Sequence, residues 1–145
     1  MDGEILIVED NPDDEALVLR TLNKINVKNG IRVVRDGAEA LEYLFRTGQY
    51  SERKSARPIV VLLDLKLPKV DGLEVLRRVR AEKRTKTLPV VILTSSDEQE
   101  DKVRGYDLGC NSYVRKPVKF DEFAEAVKSL GLYWLLLNEP PPEIA

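Results

Sequence analysis

The sequence predicts an α/β fold: a three-layer sandwich of five βα units whose parallel sheet has strand order 2-1-3-4-5. Three observations predict it. Short apolar runs alternate five times with segments of helical periodicity. The runs Ile5–Val8, Ile59–Leu63 and Val90–Leu93 are unbroken apolar stretches, as expected for strands buried on both faces of a parallel sheet. Right-handed crossovers then put helices on both faces, and 2-1-3-4-5 is the common order for five strands. A chain of 145 residues suits one domain and one core, burying about 68–70% of its unfolded surface without disulfides or a structural metal.

The first strand covers Glu4–Glu9 and the first helix about Pro12–Lys24. Asn11 suits the N-cap, Pro12 the first helical position, and the acids after it the first turn. Val18, Leu22 and Ile25 make its apolar stripe. Strand Ile31–Val34 leads through Arg35-Asp36-Gly37 to a helix of about Ala38–Thr47, with Leu41, Leu44 and Phe45 facing inward and Gly48 expected to stop it. The stretch Gly48–Arg57 is longer than a usual αβ connection. It is expected to be a solvated loop, with Arg53, Lys54 and Arg57 as a docking surface in the sharper reading. Pro58 opens the central strand Ile59–Asp64, and the helix Gly72–Glu82 buries Val75, Leu76 and Val79. Pro89 starts the strand Val90–Thr94. The charged helix Glu98–Leu108 offers only Val103 and Tyr106 as inward candidates, so weak anchoring is expected. Gly105 is a bland helix glycine, Gly109 ends the helix, and Cys110 is a small core residue. Strand Ser112–Arg115 comes next, then a last helix from about Phe120 with Phe123, Ala124 and Val127 in phase.

Composition narrows the chemistry. One cysteine and no histidine leave no internal disulfide and no zinc-type ligand spacing, which fits a reducing, cytoplasmic setting. No basic, apolar start resembles a signal peptide, and no apolar run approaches the roughly 20 residues of a membrane span. A net charge of −2 gives no electrostatic case for nucleic acid. Without histidine or a GxxxxGK[ST] loop, any phosphoryl group must come from elsewhere.

The apolar runs end, in order, on acid, acid, hydroxyl and amine: Glu9-Asp10, Asp64, Thr94 and, through Arg115, Lys116. In an open parallel sheet, ligands bind at the carboxyl ends of the strands, so these side chains should converge. Three carboxylates close together are costly unless charge is removed or a cation sits among them. Oxygen-only ligands suit a hard cation, and Mg2+ fits best. Asp64 has a second candidate role, because a carboxylate can attack phosphorus and become an aspartyl-phosphate. Thr94 can donate its hydroxyl to a phosphoryl oxygen, and Lys116 can offset charge spread over the transferring group. Taken singly, Asp64 or Thr94 could be a helix cap, and Lys116 a surface charge.

These residues resemble the receiver domain of two-component response regulators, a flavodoxin-like fold, over about Glu4–Leu130. The motifs are Glu9-Asp10, Asp64 with Leu67-Pro68 and Asp71-Gly72, Thr94-Ser95, and Lys116-Pro117. The resemblance implies that a partner histidine kinase phosphorylates Asp64, and that Glu9, Asp10, Asp64 and the Lys66 backbone carbonyl serve Mg2+. It implies that Thr94 and Lys116 hold the phosphoryl group beside Ser95, where the family often has alanine, and that the bond before Pro117 is cis. It also implies that Tyr113 is a switch aromatic, so that Thr94 and Tyr113 shift the surface around the Glu98–Leu108 helix and its neighbours.

The domain is expected to span 1–131 and an apolar, then proline-rich, extension 132–145. The segment Asn138–Ala145 is too short to be a DNA-binding domain, so a transcription factor is not expected. The unbroken apolar segment with Tyr133, Trp134, Leu135, Leu136 and Leu137 is expected to be a homodimer contact, since exposed apolar patches mark interfaces. This tail and the long basic loop are similar to single-domain regulators paired with bacterial phytochromes. Three rivals remain. An aspartate-nucleophile phosphatase of the haloacid-dehalogenase type wants a second acid where Lys66 stands, a flavin carrier would be repelled by Glu9-Asp10 and Asp13-Asp14, and a non-phosphorylated interaction module would not need complete site residues.

Overall fold

The computed structural model describes residues 3–24, 30–94 and 99–115. Its sheet holds β1 (Glu4–Val8), β2 (Gly30–Val34), β3 (Val60–Leu63), β4 (Val90–Thr94) and β5 (Ser112–Arg115), all parallel, in the order β2-β1-β3-β4-β5. Helices α1 (Pro12–Lys24), α2 (Gly37–Phe45), α3 (Gly72–Ala81) and α4 (Gln99–Asp107) alternate with the strands. The expected fold and strand order are those observed. The expected helix from Phe120 and the Ile25 end of the first stripe lie outside the described residues.

Burial on two faces explains the unbroken apolar runs. Leu6, Val8, Val61, Leu63, Val90 and Ile92 enter one core with α2 and α3 residues, while Ile5, Ile7, Val60, Leu62, Val91 and Leu93 pack with Val18 and Leu22 of α1. The helix stripes seat as expected at Leu41, Leu44, Val75, Leu76 and Val79. Among the described residues, no helix is long and apolar enough to cross a membrane.

Three expectations need correction. Helix α2 stops before Gly48, because Arg46 adopts the left-handed conformation at φ 55° and both Arg46 and Thr47 donate their N–H groups to the Glu42 carbonyl. That backbone costs roughly 1–2 kcal/mol. The Arg46 guanidinium, donating to the Ser55 carbonyl at 2.9 Å, offsets part of it.

The stretch 48–57 is mostly exposed, as expected of a solvated loop, but its arginines do not form the docking surface of the sharper reading. It begins as a 3₁₀ turn, Gly48–Tyr50, and its arginines turn inward. Arg53 lies 4.3 Å over the Tyr43 ring and donates to the Tyr43 and Ser55 carbonyls at 2.9 Å, and Arg57, 8% exposed, donates to the Arg84 carbonyl. Two of the three charges offered for docking are therefore used to fasten the segment down.

In α4 the inward candidates were wrong. Val103 and Tyr106 are 50% and 49% exposed, and the buried residue is Gly105. A Cβ there would stand 2.8 Å from Ile92 Cδ1 and 3.3 Å from Tyr113 Cδ2. The helix backbone approaches the sheet so closely that a larger residue would have to displace the Ile92 or Tyr113 side chain, a constraint that an apolar-periodicity reading does not register.

Leu76 is fully buried between α3 and the sheet. Leu76→Ala should cost about 2–5 kcal/mol, read as a lower urea midpoint with an unchanged slope.

Candidate functional site

The strands end one residue before their acids. Because β1 stops at Val8 and β3 at Leu63, Glu9 and Asp64 emerge at the carboxyl rim of the sheet while their backbones stay in the ladder. Glu9 N–H donates to the Val34 carbonyl at 3.0 Å, and Asp64 N–H to the Val8 carbonyl at 3.1 Å. The expected convergence of the acids is observed: one carboxylate oxygen from each of Glu9, Asp10 and Asp64 lies within 4.8 Å of the other two. Glu9 and Asp64 are only 3% and 6% exposed, whereas Asp10 is open to solvent.

Local structure aims these groups. Glu9 Oε2 accepts from the Asn11 N–H at 3.2 Å, and Asn11 Oδ1 caps α1 by accepting from the Asp13 and Asp14 N–H groups. Asp64 Oδ1 accepts from the Leu65 N–H at 2.7 Å. The loop after Asp64 is pressed from two sides. A Cβ on Gly72 would collide with the Asp64 carbonyl oxygen, and one on Gly37 with the Val70 carbonyl oxygen. Gly37 N–H donates to the Pro68 carbonyl, and Lys69, at φ 68°, places its ammonium 3.6 Å from Asp36. Asp36 and Asp71 cap α2 and α3 through the N–H groups of Glu39 and Glu74. The positioning role of these two Asp-Gly pairs was missed at the sequence level. The repeated Asp-Gly before a helical stripe was the available signal.

Thr94 is fully buried at the end of β4, and Lys66 is exposed in the loop after β3. Tyr113 is half-buried on β5 opposite Ile92, which shares a face of β4 with Thr94. Ser95, Lys116 and the Lys116–Pro117 bond lie outside the described residues, as do Tyr133 to Leu137.

Three crowded carboxylates, two of them buried, repel one another, and oxygen is the only donor type they offer. That set fits a hard divalent cation, which would offset the repulsion and leave room for water or phosphate oxygens.

Comparison with known proteins points the same way. A family model described as the response regulator receiver domain matches residues 5–128. Response regulator Rcp1 of Synechocystis is 36% identical over 131 residues, covering 90% of this chain and 88% of that protein. A Mn2+-bound crystal form of Rcp1 superposes with TM-score 0.90 at 34% identity, covering 97% of this chain and 99% of that one. The phosphorylated cyanobacterial phytochrome response regulator RcpA gives TM-score 0.91 at 36% identity over 98% of this chain and 100% of that one. The bacteriophytochrome response regulator AtBRR is 53% identical, with TM-score 0.77, over 96% and 99% of the two chains.

A cation that binds only the folded site should raise the thermal midpoint. At a hundredfold excess over Kd, Mg2+ or Mn2+ should add about 2.7 kcal/mol. Calorimetry should show the shift in the wild type and most of it lost in Asp10→Asn.

Proposed function

The chain belongs to the response regulator receiver domain family, and from that premise we propose that it accepts a phosphoryl group from a partner histidine kinase onto Asp64. The observation that carries the reading is the convergence of Glu9, Asp10 and Asp64 at one rim of the sheet. The protein acts in phosphorylation-based signalling. The alternatives of an aspartate-nucleophile phosphatase and a non-phosphorylated module are not favoured, since the receiver family match covers 5–128 and a phosphorylated relative shares the fold.

In the transfer, an Asp64 carboxylate oxygen bonds to phosphorus while the P–N bond to the kinase phosphohistidine breaks. The electron pair of that bond returns to the imidazole nitrogen. A bound Mg2+ would neutralise the acidic cluster and the phosphoryl oxygens. Glu9, Asp10, Asp64 and the Lys66 carbonyl are its proposed ligands. Thr94 donates its hydroxyl to a phosphoryl oxygen, and Ser95 and Lys116 complete the proposed phosphoryl-binding set, with Lys116 supplying positive charge. The new charge biases a two-state element formed by Thr94, Tyr113 and the surface of α4 and β5. Burial of Thr94 and half-burial of Tyr113 support this, because neither can rearrange without its neighbours responding.

The sources of signal and output are part of the same proposal. Likeness to RcpA and AtBRR supports a bacterial phytochrome as the kinase, and a cytoplasmic setting belongs to the same proposal. The domain spans 1–131, and the extension 132–145 makes a homodimer contact through Tyr133 to Leu137.

Acetyl phosphate and Mg2+ should add one phosphoryl group to the intact mass of the wild type and none to Asp64→Asn. An unchanged wild-type mass, or an equal gain in the variant, would overturn the assignment. Sedimentation should find the wild type dimeric and a chain cut after Leu130 monomeric. Two well-folded monomers would remove the dimer contact.

A further inference from the structure

A continuous path of hydrogen bonds runs from the long stretch 48–57 to the rim of the sheet. It starts at Tyr50, on the 3₁₀ turn, whose ring packs on the core and meets the Tyr43 ring edge-on at 4.9 Å. The Tyr50 hydroxyl accepts from Arg32 Nη2 at 3.1 Å and donates to Glu39 Oε2 at 2.6 Å. Burial, and then the bond to Glu39, push this hydroxyl above the ordinary tyrosine value, so it stays a donor.

Glu39 lies in the first turn of α2. Its other oxygen, Oε1, accepts from the Arg35 N–H at 3.1 Å, and its own N–H donates to Asp36 Oδ1 at 2.7 Å. Reciprocal bonds of this kind lock the entry of the chain into a helix. The locked turn between β2 and α2 grips the loop after β3 at three points. Gly37 N–H donates to the Pro68 carbonyl at 3.3 Å, the Val70 carbonyl lies where a Gly37 Cβ would stand, and Asp36 Oδ2 faces Lys69 Nζ at 3.6 Å. Lys69 is held at φ 68°, an uncommon backbone for lysine that its surroundings must impose. Val34, where β2 runs into the same turn, accepts from the Glu9 N–H at 3.0 Å. One turn therefore touches both the first acid of the cluster and the loop leaving Asp64.

We infer that Glu39 and Tyr50 are positioning residues of the cation site: they lock the β2–α2 turn, and the turn fixes the loop that presents the Lys66 carbonyl. Neither belongs to the acid cluster. The long stretch 48–57 thereby acquires a role, as the buttress that brings Tyr50 to Glu39. The lock itself needs no ion. Its effect on one rests on the ligand set proposed above.

Two measurements on the full chain separate the lock from its effect. Affinity for Mn2+ alone, read from the loss of its free EPR signal, should fall at least about tenfold in Glu39→Ala. Tyr50→Phe, which keeps the ring and removes the hydroxyl, should lower it about threefold. Glu39→Gln keeps an acceptor for Arg35 and a polar group for Tyr50, and should stay within about twofold of the wild type. Leu88→Ala, a core cavity at the opposite end of the sheet, should also stay within about twofold, although it costs stability. Amide hydrogen exchange by NMR without added cation reads the lock directly. Glu39→Ala should speed the Gly37, Leu67 and Val70 amides at least about tenfold and leave β4 unchanged. If Glu39→Ala does not fold, Tyr50→Phe should move both readouts in the same direction. Unchanged affinity in the folded variants, an equal loss in Leu88→Ala, or unchanged exchange at these three amides would overturn the inference. A wild type that takes up no Mn2+ sinks the cation reading and the positioning role with it, while the exchange result still decides the lock.

Discussion

Two backbone hydrogen bonds hold the site together: Glu9 N–H to Val34 and Asp64 N–H to Val8. They extend the parallel ladder one step beyond the strands, so the acids share a rim without depending on flexible loops. Because side chains alternate along a strand, a one-residue slip of β1 against β3 would send Glu9 or Asp64 to the opposite face. The apolar residues below prevent such a slip. Both faces of β1 and β3 are packed, and any shift would exchange one core for the other. The chemistry of the rim is thus a by-product of a register set by packing.

The acids that this register gathers lie together at the rim, two of them buried beside a third. Stability comes from the apolar layers. A cation or a transferred phosphoryl group changes the charge there directly, and so has leverage over the structure around it. The glycines decide where the leverage goes. Gly72 and Gly37 let α3 and α2 press on the loop after Asp64, and Gly105 lets α4 lie on Tyr113 without an intervening side chain. At Gly72 and Gly37 backbone is pressed on backbone, a contact that transmits a shift with little slack.

Periodicity and strand-end residues were the legible part of the sequence. Unbroken apolar runs marked the doubly buried strands, and Asn11-Pro12 marked the start of α1 where the structure has it. The acid cluster could be inferred from strand order alone. Contacts that no local pattern carries escaped. Val103 and Tyr106 have helical spacing and apolar character, yet they face solvent because α4 sits on its glycine. Arg46 ended α2 ahead of the glycine expected to do so, since a left-handed arginine was tolerable once its guanidinium found Ser55. The inward arginines of 48–57 look like solvent charges in a sequence. Only the fold brings Tyr43 beneath Arg53.

That last arrangement bears on how copies of the chain avoid one another. β2 is one of the two edge strands of the described sheet, and an open edge invites strand addition from a second molecule. Arg32, exposed in the middle of that edge, is held in place by the Tyr50 hydroxyl and stands 5.1 and 5.5 Å over the Tyr50 and Tyr43 rings. A neighbour docking along β2 would have to bury that guanidinium or pull it off its aromatic seat. The segment after α2 therefore disfavours strand addition at this edge by holding Arg32 in place.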